Sequence, residues 1–458
     1  MDDKVVQGGD GLSRPAVSFM GLGYVGLTTA ACLASRGFKV IGFDVDPKKV
    51  EAVNRGVCPI YEPGLEELLR DAVSKGLLMA TTDYREAILE SDATFITVGT
   101  PSLETGEINL RYVREASRMI GKVLSEKRGW HLVVVKSTVT PGTTEGLVKE
   151  TIERHSGKRC PQDFGLCMNP EFLREGAAVE DTFHPDRIVI GEVDERSGDF
   201  LEELYRSFYG PDMPPVLRTR PVNAELIKYA NNAFLAMKVS FINMIANLCQ
   251  KLPGADVEEV AKGIGLDKRI GPLFLKAGAG WGGSCWPKDL AALKAFAEKL
   301  GVDMPLIEAT IKVNEKQPLK LVDLAKQLLG ELKGKRVSVL GLSFKPGTDD
   351  MRGAVSTKVV NALLEAGAKV VVYDPKAMEN AKAILGNKVE YAPSLENCLS
   401  GSDCAILVTE WDEFKKLKPE TLKKLMRNPV LVDGRRVFPP EKFSKKIKFA
   451  AIGYGNTN

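Results

Sequence analysis

The chain has 458 residues, 44 % of them hydrophobic and 27 % charged, which is enough for two or three domains that each bury a core. A formal net charge of +3 with both signs interspersed argues against a surface built for nucleic acid or an anionic membrane. The first residues, 1–14, form a polar tail. The apolar run that follows, "AVSFMGLGYVGLTTAACLA", is broken by Gly21, Gly23 and Gly26 and has only Arg14 as a nearby basic residue. It reads as a buried strand and helix rather than a signal peptide, and no apolar run looks long enough to span a bilayer. A cytoplasmic protein is expected.

"AVSFMGLGYVGLTTAACLASRGFKVIGFDVD" reads as strand, glycine turn, helix, strand. Gly21, Gly23 and Gly26 fit G-x-G-x-x-G, with Tyr24 and Val25 between them, in the strand-to-helix context that a dinucleotide fingerprint requires. The first glycine allows the tight turn, the second lets backbone approach a pyrophosphate, and the helix N-terminus stabilises that charge. Asp44 closes the second strand, where a carboxylate accepts ribose hydroxyls and repels a 2′-phosphate, so NAD is expected; Lys48 and Lys49 are the residues that keep NADP open. Strands at "ATFITVGTP", "HLVVVKSTV" and "RIVIG" alternate with helices, which predicts a parallel sheet. Thr100, Pro101, Ser137 and Thr138 lie just past strand ends, where such sheets bind ligands.

The middle of the chain is helical. "NAELIKYANNAFLAMKVSFINMIANLC" runs from Asn223 to Cys249 without proline or glycine. Its stripe Leu235, Val239, Ile242, Ala246 continues back through Asn232 to Lys228 at helical spacing. These two polar residues are either solvated, where the face leaves the core, or functional. Such a helix between two α/β units could also supply a dimer contact. From about Leu332, "KRVSVLGLSFKPGTDDMRGAVSTKVVNALLEAGAKVVVYDP" repeats the strand, loop, helix, strand order without a third glycine, so a second dinucleotide is not expected. The fold class is α/β: two Rossmann-like doubly wound domains, residues 15–220 and 326–458, joined by a helical domain, residues 221–325, with a long central helix.

Eight cysteines show no C-x-x-C pair, and His131, His155 and His184 show no metal-ligand spacing, so neither disulfides nor a metal are expected. Most of the cysteines sit in apolar contexts and read as small buried hydrophobes. Cys285 differs. "GGSCWPKD" places it between two glycines and a proline that opens the amphipathic helix "LAALKAFAEKL", and Asp289 follows four residues later on the same face. A thiol in a first helical turn has a lowered pKa. In a protein that binds NAD, it suits oxidation of an alcohol past the aldehyde to the acid, through a thiohemiacetal and a thioester. A structural cysteine in a glycine loop is the alternative.

The motifs "GLGYVG", "KSTV", "NPEFLREGAAVED", "AELIKYANNAF", "GWGGSCWPKD" and "FKPGTDDMR" occur in the order found in the UDP-glucose/GDP-mannose dehydrogenases, and the chain resembles that family from about Ala16 to Arg436. The resemblance implies an NAD-binding domain, a helical dimerisation domain and a nucleotide-sugar-binding domain, acting as a homodimer or larger. It implies four-electron oxidation of a sugar C6 alcohol with two NAD reduced. Carried over by position, Cys285 is the nucleophile and Lys228 stabilises oxyanions; Asn232, Asp289 and Thr138 hold water or assist proton transfer. Glu171 is the acid/base of thioester hydrolysis. Glu175, Lys288, Lys49 and Arg352 join the cofactor contacts. Substrate contacts fall on Glu171, Phe172, Leu173, Arg174, Lys276, Gly278, Gly280, Gly282, Phe344, Lys345 and Arg436, besides Lys228 and Asn232. Two departures stand out: Thr140 separates Val139 from the proline that often follows it directly, and Trp286 replaces a common phenylalanine or leucine. Neither removes a reacting group.

Family members acting on UDP-glucose carry an arginine matching Arg269, which reaches the sugar from a neighbouring subunit. UDP-glucose, oxidised to UDP-glucuronate, is therefore the expected substrate, with GDP-mannose and UDP-N-acetylhexosamines as alternatives. Two remoter readings are a single-step β-hydroxyacid dehydrogenase, which needs no thiol and no second α/β domain, and a non-enzymatic NAD-sensing protein.

Overall fold

The computed structural model describes residues 14–455, so most of the predicted polar tail lies outside the described residues. The chain divides into two compact units. The first comprises residues up to Pro101 and Asn109–Lys228; the second comprises Ser102–Ile108 and Tyr229 onward.

The first unit is built on strands β1 (Val17–Met20), β2 (Val40–Phe43), β3 (Leu78–Thr81), β4 (Ala93–Ile96), β5 (Leu132–Val135), β6 (Gly165–Met168), β7 (Ile188–Glu192) and β8 (Val216–Thr219). They lie in the order β3-β2-β1-β4-β5-β6-β7-β8. The first six follow the dinucleotide-binding arrangement, with the order reversing between β1 and β4. Every residue of β1, β2, β4, β5 and β6 is buried, as a sheet covered by helices on both faces requires. Val17 and Phe19 of β1 enter one core and Met20 the opposite one.

The sequence predicted a purely parallel sheet, and β7 corrects this. It runs antiparallel to β6, with Cys167 opposite Glu192 and Met168 opposite Gly191. Residues 169–187 contain only the six-residue helix Ala178–Phe183, and the chain returns beside β6 in the reverse direction, which an antiparallel pairing allows. β8 then pairs parallel to β7.

The second unit carries strands β9 (Arg336–Leu340), β10 (Lys369–Tyr373), β11 (Glu390–Tyr391), β12 (Cys404–Leu407), β13 (Val430–Asp433) and β14 (Lys448–Ala451), all parallel in the order β11-β10-β9-β12-β13-β14. Both doubly wound sheets expected from the sequence are present. The long helix is also present, as Pro221–Cys249, 29 residues. Its Ile242, Ala246 and Cys249 enter one core with Leu321, Val337, Val339 and Val432 of the second unit. Contrary to the sequence reading, this helix does have the length and composition to cross a membrane, with a mean hydropathy of 1.3 over its most apolar stretch. A core helix passes the same test, and 44 % of that stretch is buried in the fold. Ser240 and Asn243, buried along it, are held by the Thr310 carbonyl at 3.0 Å and the Gly278 amide at 2.8 Å.

Candidate active site

The glycine turn of the first unit is shaped for close approach. Gly21 has φ +106°, and a Cβ there would lie 3.1 Å from the Thr97 carbonyl oxygen; one on Gly26 would lie 2.0 Å from the Gly21 oxygen. A Cβ on Gly23 would meet nothing within 4 Å, and Gly23 caps the helix Tyr24–Ser35. The turn therefore leaves open, at a helix N-terminus, the space that a pyrophosphate needs, so the residues fit a dinucleotide. Asp44 is buried, and its carboxylate accepts from the Leu22 amide at 2.9 Å and the Asp46 amide at 3.0 Å. Lys49 reaches the same carboxylate at 2.8 Å, so this lysine is paired with Asp44. Val25 is half-buried, Thr100 buried and Pro101 exposed. Ser137 donates to the Val98 carbonyl at 2.7 Å, fixing the strand end from which the half-buried Thr138 follows.

Glu171 and Lys228 come together within this unit. The Lys228 ammonium donates to the Glu171 carbonyl at 2.7 Å and to its carboxylate at 3.1 Å, and both side chains are nearly buried. The other Glu171 oxygen accepts from the Leu173 amide at 2.6 Å. The Phe172 ring carries Arg187 at 4.0 Å and Lys228 at 5.4 Å. Arg174 is mostly exposed and pairs with Asp181 at 2.5 Å, while Glu175 is half-buried in the same loop. Sequence reasoning missed Glu62. This buried carboxylate accepts from the Gly176 and Ala178 amides, each at 2.7 Å, and from the Tyr24 hydroxyl, tying the glycine turn to the Glu171 loop.

In the second unit, Asn232 donates to Asp289 at 2.7 Å, and Lys288 pairs with the other Asp289 oxygen at 2.6 Å. Asp289 is 1 % exposed. Cys285 is the N-cap of the helix Trp286–Lys299, whose second residue is Pro287, and the Cys285 carbonyl accepts from the Asp289 amide at 2.8 Å. Among the eight cysteines, Cys285 alone is exposed. Burial pushes the Cys32, Cys160 and Cys398 thiols up to about 12, and raises Cys58, Cys167, Cys249 and Cys404 as well. Lys228 and Asn232 sit one turn apart on the same helix, so the stripe's polar end is turned inward rather than solvated.

The loop before the thiol is held by its glycines. A Cβ on Gly283 would lie 2.9 Å from the Phe344 ring, on Gly282 2.2 Å from the Gly353 oxygen, and on Gly278 3.0 Å from the Gly434 oxygen. Gly280 adopts φ +107° and accepts from Arg435 at 3.1 Å. Lys276 lies 3.7 Å from Glu410, Lys345 lies over the Phe344 ring at 5.6 Å, and Arg352 pairs with Asp350 at 2.7 Å. Arg436, expected as a substrate contact, is buried, and one guanidinium nitrogen donates to both Asp256 oxygens at 2.7 Å. Its φ of +55° turns the two adjacent arginines apart, so Arg435 is the one that meets the glycine loop. Arg269, paired with Asp267 at 2.7 Å, is 89 % exposed. No cluster of three or more His, Cys, Asp or Glu suited to a metal occurs among the described residues.

Three family models match in succession: the NAD binding domain of the UDP-glucose/GDP-mannose dehydrogenase family at residues 15–209, its central domain at 222–316, and its UDP binding domain at 338–440. The chain belongs to the UDP-glucose/GDP-mannose dehydrogenase family. It is 46 % identical to the UDP-glucose 6-dehydrogenase AglM of Haloferax volcanii, over 92 % of this chain and 96 % of that protein. It is 44 % identical to the UDP-glucose 6-dehydrogenase TuaD of Bacillus subtilis, over 93 % and 90 %. Among solved structures, a UDP-glucose dehydrogenase from Pyrobaculum islandicum superposes with a TM-score of 0.90 at 44 % identity, covering 98 % of this chain and all of that one. A UDP-D-ManNAc dehydrogenase from Pyrococcus horikoshii gives 0.84 at 29 % identity, over 96 % and 99 %.

Proposed function

We propose that this family member oxidises UDP-glucose to UDP-glucuronate with two NAD reduced. The observation that carries the reading is the exposed Cys285 at the start of a helix, in a chain whose other seven cysteines are buried or half-buried with raised thiols. The relatives of 44–46 % identity act on UDP-glucose by name, and the UDP-D-ManNAc enzyme stands at 29 %, which favours UDP-glucose over an N-acetylhexosamine.

Bound NAD supplies a hydride acceptor, used twice. Asp44 would take the ribose hydroxyls and Gly23 would face the pyrophosphate. The first oxidation turns the C6 alcohol into an aldehyde. The Cys285 sulfur then adds to that carbon and the carbonyl oxygen takes a proton, giving a thiohemiacetal. Loss of a second hydride and that proton leaves a thioester on Cys285. Lys228 stabilises the oxygen as it gains negative charge. Asn232 and Asp289, with Thr138, hold water and pass protons. Glu171 takes a proton from water as it attacks the thioester, which releases the acid and returns the thiol. Arg435 joins the substrate-binding residues expected from sequence.

We read the chain as three functional segments, residues 15–220, 221–325 and 326–458, in a cytoplasmic homodimer. Dimerisation is supported by the outward face of the long helix, where Phe234, Phe241, Met244 and Leu248 are 46–58 % exposed at heptad-like spacing. The exposed Arg269 would then serve the partner's sugar. Arg269→Ala is expected to raise the KM for UDP-glucose about ten- to a hundred-fold, the worth of a charge-assisted contact, with NAD binding unchanged. Full activity in a monomer would rule out action across subunits. The substrate is tested by following NADH with UDP-glucose, GDP-mannose and UDP-N-acetylhexosamines in parallel. Faster turnover of either alternative than of UDP-glucose would overturn the assignment.

A further inference from the structure

Glu62 is a buried carboxylate that none of the steps above uses. It stands just before the helix Leu65–Ser74, yet its oxygens meet donors from two other parts of the first unit. One oxygen accepts from the Ala178 amide at 2.7 Å; the other accepts from the Gly176 amide at 2.7 Å and from the Tyr24 hydroxyl. Burial and the adjacent carboxylate push the Tyr24 phenol up, so it stays protonated and donates. A buried carboxylate is costly unless donors surround it, and here all three come from elsewhere in the chain. Tyr24 is the first residue of the helix that Gly23 caps, whereas Gly176 and Ala178 close the loop that carries Glu171, Phe172 and Leu173.

The two parts differ in what else holds them. The glycine turn has anchors of its own: the Gly21 amide donates to the Phe43 carbonyl at 2.8 Å, and the Gly21 carbonyl accepts from the Thr97 hydroxyl at 2.8 Å. The loop leaves β6 at Asn169, whose amide donates to the Val135 carbonyl at 2.8 Å. Its far end runs into the short helix Ala178–Phe183, to which Arg174 is bound through its amide, 2.8 Å from Asp181. Glu62 supplies the hydrogen bonds that fix the start of that helix, where Gly176 adopts φ +82°. Within the loop, the Leu173 amide and Lys228 set the direction of the Glu171 side chain. Lys228 is also assigned to the substrate oxyanion, so the loop needs a fixture that does not change partners during the reaction. We propose that Glu62 is a positioning residue for thioester hydrolysis, a tether that ties the loop bearing Glu171 to the start of the dinucleotide helix. The proposal rests on the reading of Glu171 as the hydrolytic base and adds the residue that places it. A carboxylate that served only to cap a helix would support the fold as a whole, whereas a tether acts on the step that uses the loop.

The test compares full-length Glu62→Gln and Tyr24→Phe with the unsubstituted enzyme, reading melting temperature, NAD affinity, the time course of NADH and the intact mass. Glutamine keeps the shape of Glu62 but turns an amide nitrogen towards at least one of the three donors. A small displacement of a catalytic group costs up to about a hundredfold, so steady turnover of Glu62→Gln should fall about ten- to a hundred-fold. NAD affinity should hold, because the glycine turn keeps its own anchors. Both hydride transfers precede hydrolysis, so the loss should appear as a burst of two NADH per active site, with the acyl adduct on Cys285 visible by mass. Tyr24→Phe leaves the carboxylate its two amides and should give the same burst with a smaller slowing. A folded Glu62→Gln that shows no burst and no adduct, or that loses hydride transfer and hydrolysis in equal measure, would overturn the proposal. If that variant does not fold, Tyr24→Phe decides alone, and the lack of a burst there overturns it. Glu171→Gln run alongside separates the two readings. A burst and adduct in Glu171→Gln but in neither of the other variants would sink the tether alone, whereas their absence from Glu171→Gln would sink the reading of Glu171 and the tether with it.

Discussion

Cys285→Ala is expected to abolish formation of UDP-glucuronate, by at least about a thousandfold, while NAD and UDP-glucose still bind. Cys285 makes no side-chain cap hydrogen bond to its helix, and Pro287 remains to start it, so the fold loses little. What is lost is the sulfur that converts an aldehyde into an adduct able to release hydride. Alkylation should find the same atom in the unsubstituted enzyme. Cys285 is exposed, whereas the other thiols are raised by burial and mostly enclosed, so modification should be selective and bound UDP-glucose should slow it. Acid formation by the alanine variant near the normal rate would return this cysteine to a structural role.

The second large effect is expected at Glu171→Gln. Glutamine has nearly the same shape and can still accept from the Leu173 amide, but it cannot act as a base at neutral pH. Loss of a general base lowers kcat about 10²- to 10⁴-fold. Both hydride transfers precede the step that needs this base, so the variant should give a burst of two NADH per active site and then stall. Intact mass should then show the acyl adduct on Cys285. Steady turnover within a few-fold of normal, or a stalled enzyme carrying no adduct, would remove Glu171 from the hydrolytic step.

The sequence displayed some of these residues more clearly than others. Gly21, Gly23 and Gly26 were legible because each must lack a side chain for a different reason, and the surrounding strand and helix periodicities fix their context. The Lys228–Asn232 face was legible as a polar end to an apolar stripe, although periodicity could not tell a buried face from a solvated one. The reversed strand β7 was not legible: "RIVIG" reads equally well in either direction, and only the packing of the chain before it decides. Glu62 and Arg435 were missed for a common reason. Each makes its contacts with partners distant in sequence: Glu62 at Gly176 and Ala178, Arg435 at Gly280. The available signal was a pair of adjacent arginines, of which spacing alone could not pick the one that faces the loop.

Lys49 shows how a composition-level inference changes once geometry is present. As a basic residue near the ribose carboxylate it left NADP open, but at 2.8 Å it is engaged by Asp44 itself. Its charge is thereby largely offset, consistent with the NAD-binding domain that this family carries.

The measurement that bears most directly on the account is the ratio of NADH formed to UDP-glucose consumed by the unsubstituted enzyme, with the product analysed at the same time. A ratio of two, with UDP-glucuronate as product and no free aldehyde accumulating, is the predicted result. A ratio of one, with the aldehyde released, would contradict it and leave Cys285 without a chemical role.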